Sequence, residues 1–90
     1  MFYHFRVHEE EDGYWAECVE LPGCKTQADL MEELVRNAEE TLNLYLEEPV
    51  DSFITFPRPS AAEGGDVIEV PVDPQIALSV LLRSYRAQRP

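Results

Sequence analysis

Cations are what this 90-residue chain most lacks: seven lysines and arginines stand against 18 aspartates and glutamates, a formal charge of −11. A surface so negative repels phosphate, which excludes the body of the molecule as a general nucleic-acid binder and suits it to a basic partner. Long hydrophobic runs are missing too. Nothing approaches the ~18 consecutive apolar residues that a membrane span requires. The first 13 residues show no basic start followed by an apolar stretch, so a secretory signal is not expected. The expectation is a cytoplasmic protein without membrane contact. Cysteine is limited to Cys18 and Cys24. Their C-x5-C spacing matches no familiar zinc pattern, and two thiols cannot close a four-ligand site unaided. A cytosolic chain keeps such thiols reduced and partly buried, a disulfide or redox role being the alternative. No internal repeat or low-complexity tract interrupts the sequence.

Catalytic groupings are equally scarce. Metal-dependent nuclease chemistry of the RNase H type gathers three or four acids around two ions about 4 Å apart. Only Glu17 and Glu20 lie near the second strand, and Asp12 sits in a turn, so no convergence is read. His4 and His8 are four apart on a strand, roughly 13 Å, too far to share a metal. Neither has a nucleophile or acid with a reason to be adjacent. The expectation is a non-enzymatic protein with no cofactor.

What remains is an ordinary globular composition, 44% apolar and 28% charged, in a length that fits one small domain. Such a domain is marginal alone and gains from association. The pattern predicts a strand over 2–8, with Tyr3, Phe5 and Val7 on one face and Phe2, His4, Arg6 and His8 on the other. A charged connection over 9–13, ending in Asp12-Gly13, reads as a hairpin turn with solvated charges. A second strand over 14–19 is apolar on both faces apart from Glu17, so each face needs cover. Leu21-Pro22-Gly23-Cys24 makes a corner, and Lys25 and Thr26 begin a short return.

A helix follows over about 30–47. Asp29 serves as its N-cap, with Glu32 completing a capping-box-like pair. Met31, Leu34, Val35, Ala38, Leu42, Tyr45 and Leu46 fall in one stripe roughly 120° wide. Glu32, Glu33, Glu39, Glu40 and Glu47 gather opposite, Leu30 and Leu44 lie off the stripe, and Pro49 ends the helix. Residues 51–66 read as a loose surface connection, with an extended piece at Phe53-Ile54-Thr55-Phe56 and Pro57-Arg58-Pro59 and Gly64-Gly65 punctuation. A strand over 66–72 carries Pro71, which places it at a sheet edge.

Asp73-Pro74 opens a last helix over 74–88, cap followed by proline. Ile76, Ala77, Leu78, Val80, Leu81, Leu82 and Tyr85 cover most of its circumference, so it needs burial on more than one side. A small sheet already carrying one helix cannot supply that. A homo-oligomer, dimer or tetramer, is therefore expected, with Ile76, Leu78, Val80, Leu81, Leu82 and Tyr85 at the contact. All but one of the 18 acids precede Asp73, whereas Arg83, Arg86 and Arg89 follow it. Those arginines read either as DNA-phosphate contacts, blunted because three-residue spacing drifts them around the helix, or as cations complementing a helix C-terminus.

The order of an acidic hairpin turn, an aromatic strand, the Leu21-Pro22-Gly23-Cys24 corner, Thr26-Gln27 and one long helix resembles the HicB-like antitoxin family. The likeness covers residues 3–48 well. It continues weakly through Pro57-Arg58-Pro59-Ser60, similar to an IPxPS stretch of the family, and through Val70-Pro71-Val72-Asp73 with Ile76-Ala77-Leu78. Val19-Glu20 stands where the family has Pro-Asp before the corner, and Ala28-Asp29 where it has Gly-Asp before the helix. The resemblance implies an α+β fold, a small antiparallel sheet in β-β-β-α-β order with one long helix on it, likened to a partial RNase H fold. It also implies binding and inhibition of a small basic HicA-type toxin, an mRNA-cleaving ribonuclease. Relatives that bind operator DNA continue from such a last helix into a helix-turn-helix, whereas this sequence ends at Pro90. The expectation is thus a domain over 1–72 and an oligomerisation helix over 73–90. Candidate toxin contacts are Glu32, Glu33, Glu39 and Glu40, with Leu30, Leu44 and Trp15 as apolar anchors. The rivals are a DNA-binding autoregulator using Arg83, Arg86 and Arg89, and an orphan scaffold.

Overall fold

The computed structural model describes residues 1–49, 52, 54–60, 62 and 64–88. In chain order they form β1 (Phe2–Glu10), β2 (Gly13–Cys18), β3 (Lys25–Ala28), α1 (Met31–Leu46), β4 (Val67–Pro71) and α2 (Pro74–Gln88). The four strands make one antiparallel sheet in the order β3-β2-β1-β4, giving an α+β fold. The first strand is therefore central, and the last one closes its far side as an edge, where Pro71 costs no ladder bond. The β1–β2 hairpin is tighter than the sequence suggests. Both strands run further, Glu10 pairs with Gly13, and Glu11-Asp12 alone make the turn. Gly13 has φ +149°, and a Cβ there would lie 2.7 Å from the Ala28 carbonyl oxygen. Only glycine lets β3 end so close.

Alternation sorts the sheet into two faces. Tyr3, Phe5, Ala16, Cys18 and Val70 are buried on one, under Leu34, Ala38, Leu42 and Leu46 of α1. These four sit one helical turn apart and define the buried line. Met31, Val35 and Tyr45, expected in the same stripe, flank it and stay substantially exposed. Phe2, His4, Arg6, His8 and Trp15 occupy the other face. Its cover is stacking and ion pairing rather than a second layer. His8 lies over Trp15 with ring centroids 4.1 Å apart, and Arg6 holds Asp66 at 3.0 Å.

The corner is a tight turn. Cys24 N–H donates to the Leu21 carbonyl at 3.0 Å, with Pro22 second and Gly23 third at φ +92°, as a type II turn demands. Glu17 accepts the Gly23 N–H.

The helix ends divide. Asp73 caps α2: its carboxylate accepts the Gln75 N–H at 3.0 Å, and Pro74 takes the first helical position. Asp29 does not cap α1. The N-cap is Leu30, with no side-chain bond to the helix N-terminus. The chain leaves β3 one residue too late for the aspartate to reach.

The connection between α1 and β4 is more firmly held than its composition suggests. Phe56 rests against Tyr45, ring centroids 5.7 Å apart. The Tyr3 hydroxyl donates to the Pro57 carbonyl at 2.7 Å. No strand forms among its described residues, and Phe53, part of the expected extended piece, lies outside them.

Candidate partner-binding surface

One buried carboxylate organises the region around the corner. Glu20 accepts from the His4 backbone N–H at 3.0 Å, from His4 Nδ1 at 2.7 Å and from the Ser60 N–H at 3.1 Å. Its side chain is 2% exposed. Burial alone would raise its pKa; the donors outweigh that and hold it below the usual carboxylate range. Three separated segments, β1, the corner and the α1–β4 connection, thus converge on one charge. Beside it, Cys18 and Cys24 are free and buried. A hydrogen bond to Cys24, with burial added, pushes the Cys18 thiol up, which removes it as a nucleophile at neutral pH. Burial above all pushes the Tyr3 hydroxyl up to about 12. The same bond to Cys18 draws the Cys24 thiol down in turn, so these groups form one coupled network in the core. Among the described residues no three histidine, cysteine, aspartate or glutamate side chains gather as metal ligands.

The open ground lies on either side of α1. Toward β3, a cleft of about 440 Å³ is lined by Glu10, Asp12, Asp29 and Glu33, by Tyr14 and Trp15, and by Gln27 and Asn37. No basic side chain lines it. The short hairpin brings Glu10 and Asp12 to its rim, and the β3–α1 junction supplies Asp29 and Glu33. Trp15 is fixed there twice: His8 stacks on it, and its indole N–H donates to Glu10 at 3.0 Å. Toward β4 and α2, a second cleft of about 660 Å³ is lined by Glu39, Glu40, Glu47 and Asp73, by Leu44, and by Arg36. Asn43 forms its floor, accepting the Asp73 N–H at 2.7 Å.

The structure therefore divides the residues singled out from the sequence. Trp15 and Glu33 share the first cleft; Glu39, Glu40 and Leu44 share the second. Glu32 lines neither and is exposed, while Leu30 and Leu44 stand well out from α1. Glu10, Asp12 and Asp29 were read as solvated or capping charges. Their grouping with Glu33 joins two segments distant in the sequence, the hairpin and the start of α1, through the pairing of β2 with β3.

Two residues of α2 differ more sharply. Arg83, expected as a DNA contact, is 3% exposed. Its guanidinium donates to the carbonyls of Ile54 at 3.0 Å and Leu46 at 3.3 Å, the latter at the C-terminal end of α1. Those bonds commit it to the fold. Val80, expected at an oligomer contact, is buried in the chain's own core, with Ile76 partly so. Leu78, Leu81, Leu82 and Tyr85 remain on the outside. Arg86 is exposed, and Arg89 lies outside the described residues. No helix among the described residues is long and apolar enough to cross a membrane.

Comparison with known proteins adds sequence likeness over most of this fold. The model of the HicB_like antitoxin of bacterial toxin–antitoxin systems matches residues 3–79, from β1 into α2. A UPF0150 protein of Archaeoglobus fulgidus is 45% identical over 42 residues, which cover 46% of this chain and 61% of that protein. A UPF0150 protein of Synechocystis is 36% identical over 50 residues, 56% of this chain and 63% of that protein. The matches span about three fifths of the length of these curated relatives.

Proposed function

Since this chain belongs to the HicB_like antitoxin family of bacterial toxin–antitoxin systems, we propose that it neutralises a small, basic, HicA-type mRNA-cleaving ribonuclease. It does so by covering the cationic surface with which such a toxin grips RNA. The observation that carries this reading is the cleft beside β3, which Glu10, Asp12, Asp29 and Glu33 line together with Trp15 and Tyr14, and which no lysine or arginine lines. A lysine or arginine entering it meets carboxylates on its charged end and aromatic rings along its stem. Long-range attraction from a chain of charge −11 speeds the encounter. Residence time then depends on apolar anchors, for which Leu30 and Leu44 are exposed at the two ends of α1. The second cleft, with Glu39 and Glu40, widens the footprint along the helix. Inhibition of this kind is occlusion, and no covalent bond is made or broken. Residues 1–72 carry the toxin surface, and α2, Pro74–Gln88, serves self-association.

The test is coexpression with a basic toxin encoded beside it, followed by growth rescue and calorimetry on the purified pair. Reversing two carboxylates of the cleft, Asp29→Lys with Glu33→Lys, is expected to weaken binding about 30-fold or more and abolish rescue. Glu69→Lys, on β4 at the far edge of the sheet from the cleft, leaves both intact. Equal loss from both variants, or from neither, overturns the assignment of the cleft. A neighbouring protein that is neither toxic nor bound overturns the antitoxin reading.

A further inference from the structure

The sheet ends in an edge that the fold leaves open. β3 is the outermost strand, and among the described residues no further strand pairs with it. Two bonds fix which of its backbone groups face which way. The Cys18 N–H donates to the Cys24 carbonyl at 2.8 Å, so residue 24 turns inward to β2. The Asn37 side-chain amide donates to the Gln27 carbonyl at 3.2 Å, so residue 27 turns outward. Alternation then directs the backbone of Thr26 and Ala28 to β2, and that of Lys25 and Gln27 away from it. The two outward N–H groups and the Lys25 carbonyl have no partner among the described residues. The Gln27 oxygen keeps a second lone pair. At the other edge of the sheet Pro71 has no N–H to offer, whereas β3 contains no proline.

Two clefts adjoin this edge. One is the acidic cleft toward α1. The other, of about 420 Å³, is lined by Lys25, Trp15 and Gln27, whose side chains share the face away from α1. Glu10, Trp15 and Gln27 line both. A strand laid along the edge sends alternate side chains to opposite faces. Those toward α1 meet Asp29 and Glu33, and no lysine or arginine lines that cleft. Those on the other face lie beside Lys25. Charge therefore selects the occupant: a segment with a cation at every second position and uncharged residues between. A second copy of this chain is a poor fit, because its own β3 is flanked by the same carboxylates.

We propose that β3 is a docking edge for an extended, cationic segment of the basic partner, which joins the sheet as a fifth strand. Its backbone bonds the outward groups of Lys25 and Gln27, and its alternate lysines or arginines enter the cleft of Asp29 and Glu33. The backbone bonds supply attraction that ignores sequence, and the alternation of charge sets the register, since a slip by one residue would turn every cation toward Lys25. This docking rests on the cleft's being a surface for cations. It adds a backbone geometry that contact through charge alone lacks.

The probe is a peptide of about eight residues, a common strand length, alternating lysine and threonine and blocked at both ends. It is titrated against the whole chain at low salt. Trp15, the one tryptophan of the sequence, lines both clefts and reports binding by its fluorescence. Two further peptides carry N-methyl groups, one on every lysine amide and one on every threonine amide. Only one of these sets faces β3 in a paired strand. One methylated peptide is therefore expected to bind about tenfold or more weakly, and the other like the parent. Gln27→Pro removes an outward N–H and spares the bonds to β2, so it is expected to weaken the parent peptide in the same way. An unchanged far-ultraviolet dichroism spectrum shows that this variant is folded, and the methylated peptides decide the matter without it. An equal effect of the two methyl sets overturns the edge, and so does a parent peptide that does not bind. A Gln27→Pro chain whose mass falls in sedimentation gives the edge to a second copy and likewise overturns it. If growth rescue persists beside any of these failures, the antitoxin reading stands and the added strand alone is lost.

Discussion

At the scale of single residues, Glu20 is the position on which most depends. Its ionised form is stabilised in the fold, since the donors from His4 and Ser60 hold its pKa below the ordinary 4.5. A depressed carboxylate contributes stability that is fully present above its unfolded-state pKa and lost as pH falls through the lowered folded value. Urea titrations between pH 7 and the acid limit are therefore expected to show a decline that starts near pH 4.5. Glu20→Gln flattens that part of the profile and costs about 1–3 kcal/mol at neutral pH, because an amide cannot accept all the donors aimed at it. A variant with the wild-type acid slope would show that another group sets it. Little of this was legible in the chain. Glu20 occupies the place of the family's aspartate, but its donors come from residues 16 positions before it and 40 after it. Periodicity reports which side of an element a residue takes, and says nothing of partners so distant. Asp29 failed for a nearer reason: a cap works only at one register, and the helix begins a residue too late.

Among the elements, α1 and α2 are joined through Arg83. The C-terminus of α1 has no basic residue in its own last turn, and the guanidinium of α2 supplies the missing cation to the Leu46 carbonyl. Arg83→Leu is expected to destabilise the chain by about 2–4 kcal/mol, since the buried Leu46 carbonyl and the partly buried Ile54 carbonyl lose their donor. Arg83→Lys recovers part, through the one bond an ammonium can still make. Chemical denaturation of the three proteins checks the order. The operator-binding rival predicts a loss of DNA affinity with folding intact, so the two measurements separate the ideas. The start of α2 was readable to the residue, because Asp73 followed by Pro74 states both cap and first position. Its orientation was not. An apolar surface nearly all round conceals which line faces home, so Val80 and Leu82 look alike in sequence and differ completely in place. The strands were legible through their alternation, with β3 only as a short return; their order across the sheet was not. The short turn was blurred by acids that belong to the strand as well.

For the molecule as a whole, the net charge of −11 is a property to be managed. Self-repulsion weakens the compact state, and salt relieves it. Raising ionic strength from about 0.01 M to 0.15 M shortens the screening length from about 30 Å to 8 Å, and thermal stability is expected to rise accordingly. Association with a basic partner should slow over the same range, as stopped-flow mixing would show. A chain whose midpoint ignores salt would place its charges too far apart to matter. The strand order carries a different consequence. Because β1 is central, its outer rim waits for Val67–Pro71, nearly the last part of the fold to be synthesised. At about 5–20 residues per second, a nascent chain spends several seconds with that rim bare. During translation the protein is thus a half-built sheet, open to proteases and chaperones, until its fourth strand arrives.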